Sequence, residues 1–278
     1  MCKKKSPLWG LYLFIACTGL YAQKTDTAWF KSRSVILLEQ FNTIATLDGK
    51  AKQQAETAFR DSLLQVLKTY GSFQYQFDTL RNIGRISSDD NRLRIFSWNV
   101  PQKSGYSNYY AILQYCDKKE KDCYVGALYE EPGILKRAPQ VTSDTNHWAG
   151  ALYYRIIDTR YKGKVYYTLL GFNFNDILTN IKTIDVLTFD DSNLPVFAPK
   201  MFIYKGKPLN RIVYEYNERV QMMLEYNSSM KKIVADHLSP SRPSMEGQYQ
   251  FYGPDFSYEG FEFVNGIWQH IPDIDVRN

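Results

Sequence analysis

From Val35 onward, apolar residues recur at helical spacing through Leu37, Leu38, Phe41, Ile44 and Ala45. After Asp48-Gly49 the pattern resumes through Ala55, Phe59, Leu63, Val66, Leu67 and Tyr70. A repeat of three to four residues gathers side chains on one helix face, and Gly71 stands where the second run should stop. The spacing predicts an αα-hairpin within 23–71, with two apolar stripes that must pack on something larger.

Beyond Gly71 the period falls to two. Phe73, Tyr75 and Phe77 alternate with Gln74 and Gln76, and a weaker alternation runs through Leu93–Ser97. Tyr109–Cys116, Cys123–Leu128, Ala151–Ile157, Val165–Leu170, Thr183–Phe189, Arg211–Tyr216, Val220–Tyr226 and Lys231–Ala235 also read as strands. Lys162-Gly163, Lys205-Gly206, Asn227-Ser228 and Asn265-Gly266 supply turn chemistry between them, and Asn-Gly between two apolar runs is a strong hairpin signal. Successive hairpins without helical crossovers make antiparallel sheet. The fold class is α+β, an N-terminal αα-hairpin packed on a large antiparallel β-meander over 72–278. Pro132-Gly133, Pro139 and a Thr/Ser/Asp/Asn cluster mark 131–146 as a long loop or a boundary. Tyr161-Lys162-Gly163-Lys164 recurs as Tyr204-Lys205-Gly206-Lys207, which repeated turn chemistry explains better than a repeat architecture.

The first 22 residues change the picture. Three lysines at Lys3–Lys5, an apolar run from Leu8 to Ala16 and a small residue at Ala22 form a secretory signal peptide. The run is shorter than the roughly 20 residues of a membrane span, and no later stretch reaches that length. Phe14-Ile15-Ala16-Cys17 approximates a lipobox, so cleavage after Ala22 to a periplasmic or secreted form stands against acylation and anchoring at Cys17. The whole chain carries 34 Lys+Arg and 29 Asp+Glu, a net charge of +5. Removing the three leader lysines leaves 31 against 29, or +2. That near-neutral balance excludes an electrostatic nucleic-acid binder. Cys116 and Cys123 remain, flanking a polar run between two strands, and in an oxidising compartment they are expected to form a disulfide. Two thiols without a neighbouring histidine are too few ligands for a metal.

Familiar catalytic signatures are missing: no His-Glu-x-x-His, no phosphate-binding glycine loop with lysine, no Gly-x-Ser-x-Gly and no Cys-x-x-Cys. Ser228-Ser229-Met230-Lys231 fits Ser-x-x-Lys but falls in a hairpin turn, where the lysine does not return over the serine. Of His147, His237 and His270, only His237 has catalytic-looking company. Asp236-His237 closes a strand, and Gly253-Pro254-Asp255 and Glu259 follow a proline-rich loop. Asp236, His237 and Asp255 are therefore candidate catalytic residues of a hydrolase, with or without a metal, or else loop anchors. Aromatic residues make up 15% of the chain, including 22 tyrosines, and Trp148, Trp268, Tyr252 and Tyr258 are candidates to stack against a sugar or line a lipid groove.

Tyr153–Ile157, Tyr166–Gly171, Ile233–Leu238, Phe251–Asp255 and Asp273–Asn278 together resemble segments of exported proteins of Bacteroidota-type bacteria that have no assigned activity. The resemblance spans about half the chain and implies a bacterial envelope setting, with no catalytic residues to carry over. The reading is a non-catalytic envelope protein with a binding or structural role toward an envelope component, a glycan or a lipid, needing no cofactor. The alternative is the periplasmic hydrolase.

Overall fold

The computed structural model describes residues 25–276, apart from 117–122, 132, 138 and 140–142. The expected leader, its Ala22 cleavage point and Cys17 lie outside the described residues. Two helices, α1 (Thr27–Ile44) and α2 (Gly49–Lys68), form the αα-hairpin. α1 begins earlier than its apolar run suggests because the Asp26 side chain caps it, accepting from Trp29 N–H at 2.9 Å.

The strands form three sheets. The first joins β1 (Gly84–Ser87), β2 (Leu93–Pro101), β3 (Ser107–Cys116) and β4 (Cys123–Tyr129) in sequence order. A short helix, α3 (Ile134–Arg137), follows. The second sheet has β5 (Leu152–Tyr161), β6 (Lys164–Asn173), β7 (Thr179–Phe189) and β11 (Ile212–Asn217), in the order β11-β7-β6-β5, with β8 (Pro195–Phe197) paired to β7. The third is built from β9 (Phe202–Tyr204), β10 (Lys207–Leu209), β12 (Leu224–Asn227), β13 (Lys232–Pro240), β14 (Tyr252–Val264) and β15 (Ile267–Ile271), in the order β10-β9-β15-β14-β13-β12. All pairings within these sheets are antiparallel except β9 with β15, which run parallel.

Helices and sheets stack in four layers. Phe30, Leu37, Phe59 and Leu63 of the helices meet Phe96, Trp98 and Ile112 on one face of the first sheet. Ile95, Ala111 and Leu113 on its other face meet Tyr153, Tyr167, Leu169 and Leu187 of the second. Leu170, Ile184, Val186 and Ile212 on the far side of the second sheet meet Phe202, Ile233, Phe261 and Trp268 of the third. The middle sheet is thus buried on both faces, which is why Val165–Leu170 lacks a polar alternation.

Local chemistry accounts for the hairpins. Lys162-Gly163, Lys205-Gly206 and Asn265-Gly266 each close a two-residue turn with both φ values positive, 49° and 80°, 48° and 77°, and 52° and 86°. Two left-handed residues give the turn whose twist matches paired strands. At the ends of segment 131–146, Tyr129 N–H donates to Thr145 O, and Trp148 N–H donates back to Tyr129 O.

Two local expectations are corrected. Phe73–Phe77 is a turn, not a strand, because buried Arg94 gathers its carbonyls: Nη2 donates to Ser72 O at 2.7 Å and Nη1 to Tyr75 O at 2.8 Å. The Arg94 guanidinium also lies over the rings of Phe73, Phe77 and Phe96, and burial together with Arg85 brings its pKa down to about 9. Val220–Tyr226 is strand only from Leu224. Gly253-Pro254 is part of β14, where Pro254 is tolerated because only one side of the strand is paired at that point.

Cys116 and Cys123 are directly paired across β3 and β4 and form a disulfide, with Cα atoms 4.1 Å apart. Closing so short a loop restricts the unfolded chain modestly, and replacing both cysteines by alanine is expected to lower unfolding free energy by about 2 kcal/mol. Urea unfolding tests this. Wild type denatured without reductant should show neither of these thiols free.

Candidate functional site

β13 and β14 pair regularly from Lys232 with Glu262 to Asp236 with Tyr258, and pairing resumes at Leu238 with Pro254. Between those points one residue, His237, faces three, Asp255-Phe256-Ser257. The excess forms a bulge, a device that re-aims side chains. Phe256 is held at φ 67° and is 96% exposed. A bulky residue in the left-handed region is uncommon and costs roughly 1–3 kcal/mol.

Asp255 fastens this bulge. Its Oδ2 lies 2.8 Å from His237 Nδ1, and its Oδ1 accepts from the Ser257 hydroxyl at 2.7 Å and from Ser257 N–H at 3.2 Å. Burial pushes the Asp255 pKa up, but the Ser257 hydroxyl, His237 and the Ser257 amide outweigh it, leaving the carboxyl below its ordinary range. A carboxylate only accepts hydrogen bonds, so Nδ1 of His237 carries the proton toward it. Asp236 does not join the pair: its Oδ2 accepts from Met223 N–H at 2.6 Å, bracing the entry to β12. The catalytic constellation Asp236, His237 and Asp255 is therefore corrected to a two-residue pair. Among the described residues no hydroxyl or thiol is hydrogen-bonded to His237, and Ser257 donates to Asp255 instead. No third His, Cys, Asp or Glu completes a metal-ligand group with the pair among the described residues.

Beside the bulge is a groove of about 470 Å³, lined by Phe256, Tyr258, Asp273, Ile274 and Asp275. Ile274 N–H donates to Tyr258 O at 3.0 Å, laying the following chain along β14. The groove therefore combines a free aromatic ring with two carboxylates.

The aromatic candidates separate by burial. Trp148 and Trp268 are 0% and 1% exposed, so neither can stack against a ligand as their sequence context suggested. Trp148 Nε1 donates to the Tyr153 hydroxyl at 3.0 Å, and Trp268 Nε1 to Thr168 Oγ1 at 2.8 Å, so each indole finds a partner inside the stack. Tyr252 lines a separate groove of about 400 Å³ with Val220 and Phe251, its hydroxyl accepting from Gly247 N–H. Of the four, only Tyr258 borders the Phe256 groove.

A second polar cluster eluded the sequence reading. Glu259, 2% exposed, accepts from the Tyr214 hydroxyl at 2.7 Å and the Tyr204 hydroxyl at 3.2 Å, and lies 3.0 Å from His270 Nε2. Burial, followed by the nearby Glu259 charge, raises both tyrosine pKa values. These residues come from β9, β11, β14 and β15, so the cluster bolts the second sheet to the third within a closed core. Nothing in their spacing signals the convergence. Phe256 is equally hidden in the sequence, because the bulge that turns it outward interrupts the two-residue period between it and inward-facing Phe261.

No protein-family model, curated protein or solved structure matches the chain.

Proposed function

We propose that this is an exported, non-catalytic envelope protein that binds a carbohydrate in the groove beside Phe256. The carrying observation is Phe256 itself, a ring 96% exposed and held in an unfavourable backbone conformation by the His237–Asp255–Ser257 contacts. Strain of this kind persists where surrounding structure enforces it, and it concentrates at binding sites. An aromatic face packs against the C–H face of a sugar ring, and the carboxylate of Asp273 is suited to accept sugar hydroxyls. The export reading rests on the leader, the disulfide and the resemblance to exported bacterial proteins.

Titration with soluble peptidoglycan fragments and neutral oligosaccharides is expected to give saturable binding, weakened by at least roughly tenfold, about 1.4 kcal/mol, in Phe256→Ala. Phe256→Gly should also lose binding yet raise unfolding free energy by about 1 kcal/mol, because glycine accepts positive φ without strain. Lost affinity with gained stability is not what a packing residue would give. Absence of saturable binding by wild type, or wild-type affinity in Phe256→Ala, overturns the reading.

The His237–Asp255 contact at 2.8 Å favours the hydrolase as a second reading, with His237 handling a proton. That reading requires product release from the bound sugar and its loss in His237→Asn. Recovery of intact sugar after prolonged incubation favours binding alone.

A further inference from the structure

Several connections meet at one end of the stacked sheets, and they carry apolar side chains outward. In the β2–β3 turn Tyr106 is 56% exposed; in the β6–β7 turn Phe174, Ile177 and Leu178 are 47%, 71% and 53% exposed. The two turns touch, since a Cβ at Gly105 would come within 2.5 Å of Ile177 Cγ2. Glu218 N–H, after β11, donates to Leu178 O at 3.0 Å, and Asn217 Nδ2 donates to Gln250 O, bringing exposed Val220 and Phe251 to the same end.

The polar groups here are largely engaged within the protein. Asp176 Oδ1 accepts from Leu178 N–H and Thr179 N–H at 2.8 and 2.9 Å, and Asn173 Oδ1 from Asn175 N–H. Phe174 N–H donates to the Tyr109 hydroxyl, Gln102 N–H to Tyr106 O, and Gly105 N–H to Gln102 O. Lys103 pairs with Asp48 at 2.8 Å and Arg219 with Glu218 at 3.0 Å. Turn amides satisfied by their own side chains lose little when water is withdrawn, the condition for entering lipid. Lys103 and Arg219 are each matched by a carboxylate, and the additional carboxylate of Asp176 is held by the Leu178 and Thr179 amides, so the contact draws nothing from an anionic surface.

We infer that this end of the molecule inserts shallowly into a phospholipid surface, with Ile177 and Leu178 leading and Tyr106 and Phe174 at headgroup depth. Phenolic and aromatic rings favour that boundary and aliphatic side chains the acyl region below it. The exposed apolar residues at this end are Tyr106, Phe174, Ile177, Leu178, Val220 and Phe251, against the roughly 20–30 residues that a stable protein partner needs on each side. No helix among the described residues is long and apolar enough to cross a membrane, so the contact is peripheral if made by these turns. It is independent of the sugar groove.

The test is flotation of the chain beginning at Gln23, which lacks the apolar leader, with vesicles of three parts phosphatidylethanolamine to one part phosphatidylglycerol, and with phosphatidylcholine vesicles. Binding to both is expected. It should persist between about 0.1 and 1 M salt, over which the Debye length falls from about 10 to 3 Å. Ile177→Ser with Leu178→Ser should weaken it at least roughly tenfold. Leu194→Ser with Val196→Ser, which removes apolar side chains exposed elsewhere, should leave it unchanged. Separately, Leu178→Trp should show a blue shift of its emission when vesicles are added, a signal that does not depend on the serine variant folding. No flotation, equal flotation of the two serine variants, or binding that vanishes in high salt overturns the inference. So does a wild-type dimer that the Ile177 and Leu178 substitutions convert to monomer, because a second copy then covers this end.

Discussion

Asp185→Ala is expected to lower unfolding free energy by about 3–5 kcal/mol, the range for breaking a buried ion pair from one side. Asp185 on β7 and Arg211 just before β11 are 3% and 2% exposed. Arg211 Nε donates to Asp185 Oδ1 at 2.6 Å, and its Nη2 also contacts that oxygen. Asp185 Oδ2 accepts from the Tyr153 hydroxyl at 2.9 Å, which in turn accepts from Trp148 Nε1. One carboxylate on β7 therefore anchors a chain running from Arg211 through Tyr153 of β5 to Trp148. Removing it strands a buried guanidinium, whose Nη1 already has no hydrogen-bond partner among the described residues. Arg211→Met should be milder, because an orphaned carboxyl can neutralise itself by binding a proton. The pair Asp185→Leu and Arg211→Met should recover most of the loss, since replacing both charges by apolar groups removes the desolvation cost along with the attraction. Urea unfolding of the four proteins gives the coupling directly. A cost below about 1 kcal/mol for Asp185→Ala would show that water or rearrangement compensates the cation.

The second large effect is on pH dependence. Glu130 follows β4 and is half-buried, accepting from Tyr109 N–H at 2.7 Å. Burial raises its pKa from 4.5 to about 7, and the Tyr109 amide offsets this only partly. A carboxyl whose folded pKa lies above its unfolded value binds its proton more tightly when folded. Its contribution is complete below about pH 4.5 and disappears as pH rises through about 7. At about 1.4 kcal/mol per pH unit, ionisation of Glu130 should remove about 3 kcal/mol of stability between roughly pH 4.5 and pH 8. Glu130→Gln keeps an oxygen for Tyr109 N–H and removes the titration. The difference in stability between wild type and Glu130→Gln, measured by urea unfolding across that range, should therefore change by nearly the whole amount. A pH-independent difference would refute the assignment to Glu130, whatever the other carboxyls do.

Sequence and tertiary structure contributed unequally to the candidate site. The segments containing His237 and Asp255 stand out in the chain, and those two side chains do meet. What the spacing conceals is the register: one residue of β13 against three of β14 fastens Asp255 to His237 and turns Phe256 outward, while Asp236 goes to Met223. Catalysis and a fastened bulge share the same residues in sequence and differ only in what approaches His237 Nε2.

The sequence by itself determined the α+β class, the helical hairpin, the hairpin turns and the Cys116–Cys123 pairing, because each is written over a few neighbouring residues. Helical and strand periodicities, positive-φ dipeptides and two cysteines on facing strand ends act locally. Only the tertiary structure decided that the strands split into three stacked sheets. It also decided that Trp148 and Trp268 lie inside, that Arg94 bends 73–77 into a turn, and that Glu259, His270, Tyr204 and Tyr214 converge. Alternation says that a residue faces one side of its sheet, but not whether that side meets water or another sheet. In a stack where the middle sheet has no wet face, that question is answered by layers distant in sequence.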